Sequence, residues 1–367
     1  MAPKTEKKDD VLRQPAEIQF ADELAQLAKV DKGEKPEGWL LSPKAVEAYI
    51  LGREYGGVKP SAKYVGQDRL VQIAIATLAT DRALLLVGEP GTAKSWLSEH
   101  LTAAISGNSL LLVQGTAGTT EEQIRYSWNY ALLLAEGPTP KALVQSPVYK
   151  AMETGKIVRF EEVTRSPAEV QDALITILSE KVLAVPELGT HVHAKRGFSI
   201  IGTANTRDRG VNDMSSALKR RFNIVVLPVP DDLETEVKIV MKRVGEIGTQ
   251  FKLPAPPPAE VAVRRVVQIF QELRKGQTLD GKQKVKAPQS VLSTAEAISL
   301  IGNGMALAGH FGSGKVDDRD LAAGLHGVVV KEDSKDQATW VEYLDNVTKK
   351  RGKEWEPLYK ACKELTK

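Results

Sequence analysis

Ala83-Leu84-Leu85-Leu86-Val87-Gly88-Glu89-Pro90-Gly91-Thr92-Ala93-Lys94-Ser95 is the stretch from which the architecture can be worked out. The five apolar residues read as a buried strand, and from Trp96 to Ile105 the pattern turns helical. A strand, a glycine-containing loop and a helix in that order form a cradle for phosphate. Backbone N–H groups surround the anion, and the helix N-terminus adds the positive end of its dipole. Lys94 reaches the β- and γ-phosphates, and Ser95 offers a hydroxyl to Mg²⁺. Gly88, Glu89, Pro90, Gly91, Thr92, Ala93, Lys94 and Ser95 are therefore the expected nucleotide-binding residues, although the strict pattern has glycine where Ala93 stands. A second glycine-lysine stretch, Gly309 to Lys315, is a decoy. No strand feeds it, and Val316 replaces the hydroxyl, so it reads as a loop between helices.

Working outward, short apolar runs alternate with helical stretches. The runs are Ala83–Val87, Leu110–Val113, Ile157–Phe160, Phe198–Gly202 and Ile224–Leu227. This alternation predicts an α/β fold with a parallel sheet flanked by helices over residues 61–230. Before it, 1–37 reads as a charged tail with a short helix at most, and 38–60 as a helical extension with a helix between Trp39 and Tyr55. After it come a helical lid domain, 231–332, and an aromatic-containing helical segment, 333–367. For 367 residues, about 150 per domain gives two or three domains. Apolar residues at 42% supply a sizeable core, which excludes disorder of the whole chain. No apolar run approaches the roughly 18 residues of a membrane span. The charged start Met1–Asp10 and the single cysteine, Cys362, lead to the expectation of a cytoplasmic protein. A formal charge of +3 does not announce a nucleic-acid binder.

Beyond the phosphate loop, polar residues at the ends of later strands carry the chemistry. Lys156-Ile157-Val158-Arg159-Phe160-Glu161-Glu162 is a strand ending in two carboxylates. Beside a phosphate loop the first, Glu161, would hold the metal shell together with Ser95, and the second, Glu162, would polarise the attacking water. Asn205, at the tip of the strand Phe198 to Asn205, would orient that water and sense the γ-phosphate. Arg221, with Arg220 beside it, ends a short helix and could reach a neighbouring subunit's nucleotide to stabilise transition-state charge.

In this order the motifs resemble those of the AAA+ ATPases, and within them the MoxR family. The likeness rests on Tyr64-Val65-Gly66-Gln67, Gly88 to Ser95, Glu161 to Pro167, Thr203-Ala204-Asn205 and Leu218 to Phe222, and it spans about residues 60–330. It implies an AAA+ core with a C-terminal helical lid, ATP and Mg²⁺ as cofactors, and a homo-oligomeric, hexameric ring. It also implies a chaperone-like remodelling or metal-centre assembly role, with a von Willebrand A domain partner and a protein client. Val65 and Gly66 would flank the adenine, and Gly115 to Ser146 would contain the clade's insert. Two departures stand out: Glu161 replaces aspartate, and Gln289 in Ala287-Pro288-Gln289-Ser290 occupies the place of the lid arginine, for which Arg165 could substitute.

Two other functions stay open beside this one. Lys195 and Arg196, which close a hairpin, would suit a nucleic-acid-dependent ring motor, though no aromatic is present there for base stacking. The departures at Glu161 and Gln289 would suit a weakly hydrolysing, nucleotide-dependent scaffold. His191 and His193 share one face of an extended segment, and without a third ligand they read as surface residues.

Overall fold

The computed structural model describes residues 11–205, 214–230, 232–289, 291–331 and 334–366. The start Met1–Asp10 and Ser290 lie outside the described residues. The chain divides into two compact units, 1–89 with 93–227 and 90–92 with 228–367.

The first unit is built on a parallel five-stranded sheet ordered Leu112–Gln114, Ile157–Glu161, Ser199–Asn205, Ala83–Gly88, Phe222–Leu227. Successive side chains on a strand point to opposite faces, so one strand feeds two cores. Leu84, Leu86, Ile157, Ile201 and Leu227 pack with the helices Pro43–Leu51, Asp68–Leu78 and Lys94–Ser106. Leu85, Val158, Phe160 and Ile200 pack on the other side with Pro147–Thr154 and Ala168–Glu180. The register places Gly88 opposite Asn205 and Gln114 opposite Glu161, so the carboxyl ends of these strands finish together. Ligands of parallel α/β sheets bind at that edge.

The structure corrects several expectations. Residues 16–37 do not form a tail: Ala16–Gln19 and Ala21–Val30 are helices, and Leu27 is fully buried. Asp31 then accepts hydrogen bonds from Ser42 N and Ser42 Oγ, both at 2.6 Å, which ties the segment to the next helix. That helix is shorter than expected, Pro43–Leu51, because Gly52 ends it in the left-handed conformation. It packs into the same core as the sheet instead of standing as a separate extension. The second strand begins at Leu112, and Leu110 is exposed.

The second unit is helical, with Leu233–Gln250, Glu260–Lys275, Thr294–His310, Asp318–Val329, Ser334–Asn346 and Glu356–Glu364 around one core. Trp340, Leu344 and Leu358 are buried in that core, so 334–366 is integral to it. Two fully buried carboxylates cross-link the helices. Glu236 pairs with Arg274 at 2.9 Å and Glu272 with Arg351 at 2.5 Å. The stretch Gly309 to Lys315 comes at the end of the helix Thr294–His310, as expected of an inter-helix loop.

Candidate nucleotide site

The loop after the first strand turns through two left-handed residues, Gly91 at φ 81° and Ala93 at φ 64°. The helix Lys94–Ser106 starts immediately afterwards. Glycine adopts such a φ freely, and an alanine does so at a cost of about 1–2 kcal/mol. Lys94 Nζ donates to Gly88 O at 3.0 Å and Glu89 O at 2.8 Å, which holds the ammonium inside the turn.

Ser95 and Glu161, 66 residues apart, meet here: Ser95 Oγ donates to Glu161 Oε2 at 2.7 Å. Thr203 Oγ1 donates to the same oxygen at 2.7 Å. The other carboxylate oxygen, Oε1, accepts from Ser98 Oγ at 2.6 Å and from Arg159 Nη2 at 2.8 Å. Burial pushes the Glu161 carboxyl up, but the Arg159 guanidinium and the three hydroxyls outweigh it and hold the pKa below the usual carboxylate value. The carboxylate is thus charged, fixed and only 4% exposed. A serine hydroxyl and a glutamate oxygen are hard donors of the kind Mg²⁺ takes, so the residues present fit that ion.

Glu162 comes next, in the left-handed region at φ 53°. Its N–H donates to Thr203 Oγ1 at 2.9 Å, so one threonine braces both glutamates. The Glu162 side chain is half-buried and accepts from Arg165 Nη1 at 2.7 Å. Asn205 is half-buried at the end of its strand, in register with Gly88. Lys94, Ser95, Glu161, Glu162 and Asn205 therefore converge on the carboxyl edge of the sheet.

Arg221 does not join them. It precedes the strand Phe222–Leu227, which runs parallel to Ala83–Gly88 with Phe222 opposite Ala83. At about 3.3 Å per residue it lies some 20 Å from the carboxyl edge. Its guanidinium donates to Ser179 Oγ at 2.8 Å and Ala217 O at 2.7 Å, and Arg220 beside it is exposed. Gln289 is exposed in the second unit, with its N–H on Asp336 Oδ1 at 2.9 Å. His191 and His193 are exposed on the hairpin Val182–Val185/Thr190–His193. Among the described residues no group of three or more His, Cys, Asp or Glu is placed to hold a metal. Arg196 pairs with Glu37 at 2.5 Å.

Three residues at the centre were not singled out from the sequence: Arg159, Ser98 and Thr203. A signal existed for the first two. Arg159 interrupts an apolar strand two residues before Glu161, hence on the same face, and Ser98 lies one helical turn after Ser95.

Residues 83–222 match the family described as AAA domain (dynein-related subfamily), and residues 234–367 match the YehL-like AAA+ ATPase C-terminal domain. The chain is 42% identical over 363 residues to the uncharacterized protein YehL of Escherichia coli (strain K12), covering 96% of this chain and 97% of that one. It is 26% identical over 180 residues to YojN of Bacillus subtilis (strain 168), covering 48% of this chain and 58% of YojN. Among solved structures, NtrX from Brucella abortus in complex with ATP is 15% identical, with a TM-score of 0.46 over 83% of this chain and 69% of NtrX. A putative ATPase from Cytophaga hutchinsonii is 17% identical, with a TM-score of 0.39 over 92% of this chain and 98% of that one.

Proposed function

The chain belongs to the YehL-like family of AAA+ ATPases, and from that premise we propose that it hydrolyses ATP at the interface between subunits of a ring. The observation that carries the proposal is the meeting of Ser95 Oγ and Glu161 Oε2 at 2.7 Å, with Glu162 next in the chain. Lys94 and the N-terminus of its helix bind the phosphates, and Ser95 and Glu161 hold Mg²⁺. The metal, when bound, neutralises charge on the β- and γ-phosphates. Glu162 takes a proton from the attacking water, and Asn205 orients that water. Arg221 stands away from its own chain's carboxyl edge, which suits a residue offered to the neighbour's nucleotide as transition-state charge. The resemblance to the MoxR branch extends this reading to a hexamer. That hexamer would remodel a protein client or metal centre together with a von Willebrand A domain partner.

Two observations favour a second reading, a scaffold that binds nucleotide and hydrolyses it weakly. Glu162 is engaged by Arg165 at 2.7 Å, and the lid carries neutral Gln289 where an arginine would supply charge. The ATPase rate per subunit, measured against protein concentration, tests the first reading. A rate that rises and then saturates marks a site shared between subunits, and Glu162→Gln should abolish turnover while keeping ATP bound. Equal behaviour of wild type and Glu162→Gln would leave the scaffold standing. Arg165→Ala then separates two roles: turnover falls if Arg165 stands in for the lid arginine and rises if it restrains Glu162.

A further inference from the structure

A buried arginine on the metal-side carboxylate is not needed by the proposed hydrolysis, and it carries a consequence for the metal. Arg159 is 7% exposed. Its Nη2 and Nε donate to Glu161 Oε1 at 2.8 and 3.2 Å, its Nε also to Ser98 Oγ at 3.0 Å, and its Nη1 and Nη2 to Ser109 O and Ser95 O, both at 3.2 Å. The carboxylate is therefore divided: Oε1 faces the guanidinium and Oε2 faces the hydroxyls of Ser95 and Thr203. A glutamate can be divided in this way because its extra methylene, compared with aspartate, lets one oxygen turn back along its own strand while the other looks outward.

We infer that Arg159 is the residue that sets the affinity of this site for its divalent cation, by sharing the Glu161 carboxylate with it. The inference rests on the nucleotide-site reading. Charge alone gives it two consequences. With no metal present the guanidinium neutralises a buried carboxylate, so the strand end is formed before the metal arrives. With metal present, two cations flank one carboxylate, and their repulsion in a buried setting weakens binding relative to a site without the arginine. The pairing of a long carboxylate with an arginine makes a metal site that is preformed and loose.

The test is titration of full-length protein with Mn²⁺ in the presence of a non-hydrolysable ATP analogue, with free Mn²⁺ read by electron paramagnetic resonance. Thermal melting without metal is tracked in parallel. Arg159→Gln removes the charge, and its amide nitrogen, which stands at the level of Nε, keeps a donor for Ser98 Oγ and Glu161 Oε1. It should bind Mn²⁺ at least about tenfold tighter than wild type and melt lower without metal, with Mn²⁺ narrowing the gap. Arg159→Lys keeps the charge and should stay within about threefold of wild type. Unchanged or weaker Mn²⁺ binding by Arg159→Gln overturns the inference while the nucleotide site stands. If Arg159→Gln does not fold, a tenfold change in Arg159→Lys overturns it instead. Wild-type protein that binds neither Mn²⁺ nor the analogue overturns the nucleotide-site reading and this inference with it.

Discussion

A Cβ built on Gly115 would sit 2.2 Å from Glu162 O, a backbone atom that cannot swing aside. Gly115 N also donates to Glu161 O at 2.7 Å, so the two strand ends meet at this point. Gly115→Ala should therefore displace the turn that presents Glu162 while leaving the phosphate loop alone. The expected outcome is a fall in kcat of about tenfold or more with analogue affinity nearly unchanged, read from steady-state kinetics and a binding titration. Ala93 makes a complementary case. Its left-handed φ of 64° is tolerable for alanine and strained for a branched side chain. Ala93→Val should cost about 1–2 kcal/mol and weaken nucleotide binding, whereas Ala93→Gly should change stability by no more than about 1 kcal/mol. Urea melts of the three proteins check both statements.

Among the elements, the N-terminal helices show how local composition can mislead. The first 37 residues are rich in charge, yet within them Leu27 is buried and Leu24 packs against the same core. Part of the charge is structural. Glu99, on the helix Lys94–Ser106, accepts from Ala16 N at 3.1 Å and from Arg13 Nη2 at 2.5 Å. No local pattern announces a carboxylate 83 residues away, and that is why this part was illegible in the sequence. The sheet and the Gly88 to Ser95 turn were legible because each is specified within a dozen residues, by short apolar runs and by glycine placement. Glu161, Glu162 and Asn205 were legible because strand ends carry them. Arg159 was passed over because an arginine within a strand has meaning only once its partners on other elements are known. Asp31 offers a test of the N-terminal anchoring. Burial raises the Asp31 carboxyl, but hydrogen bonds from Ser42, Tyr55 and Gly33 hold it below its usual 3.8. A lowered folded pKa contributes stability that is present above 3.8 and is lost as pH falls through the folded value. Asp31→Ala should cost about 1–3 kcal/mol at neutral pH, and its deficit relative to wild type should shrink in melts run below that range.

For the whole chain, each of the two units holds its own core, and the last third of the second unit completes that core instead of decorating it. Arg351 lies only five residues before the final helix, yet it pairs with Glu272, 79 positions earlier, and its Cζ sits 4.5 Å from the Trp355 ring centroid. Glu272 also accepts from Tyr343 Oη at 2.6 Å, so removing the arginine leaves a buried carboxylate with neutral donors alone. Breaking a buried pair by deleting one partner costs about 3 kcal/mol or more. The chain carries its own reporter of that loss. Cys362, the single cysteine, is buried in this core, and burial together with the Asp318 charge pushes its thiol up to about 12. A buried, protonated thiol reacts with an alkylating reagent only through opening of the structure around it. Arg351→Ala should therefore accelerate Cys362 labelling by roughly a hundredfold, which is what about 3 kcal/mol of opening free energy amounts to. Arg351→Lys, which keeps the charge but not the fork, should fall between the two. Labelling of Arg351→Ala at the wild-type rate would mean that the 334–366 helices open independently of the pair, and that the buried carboxylate is not what holds them.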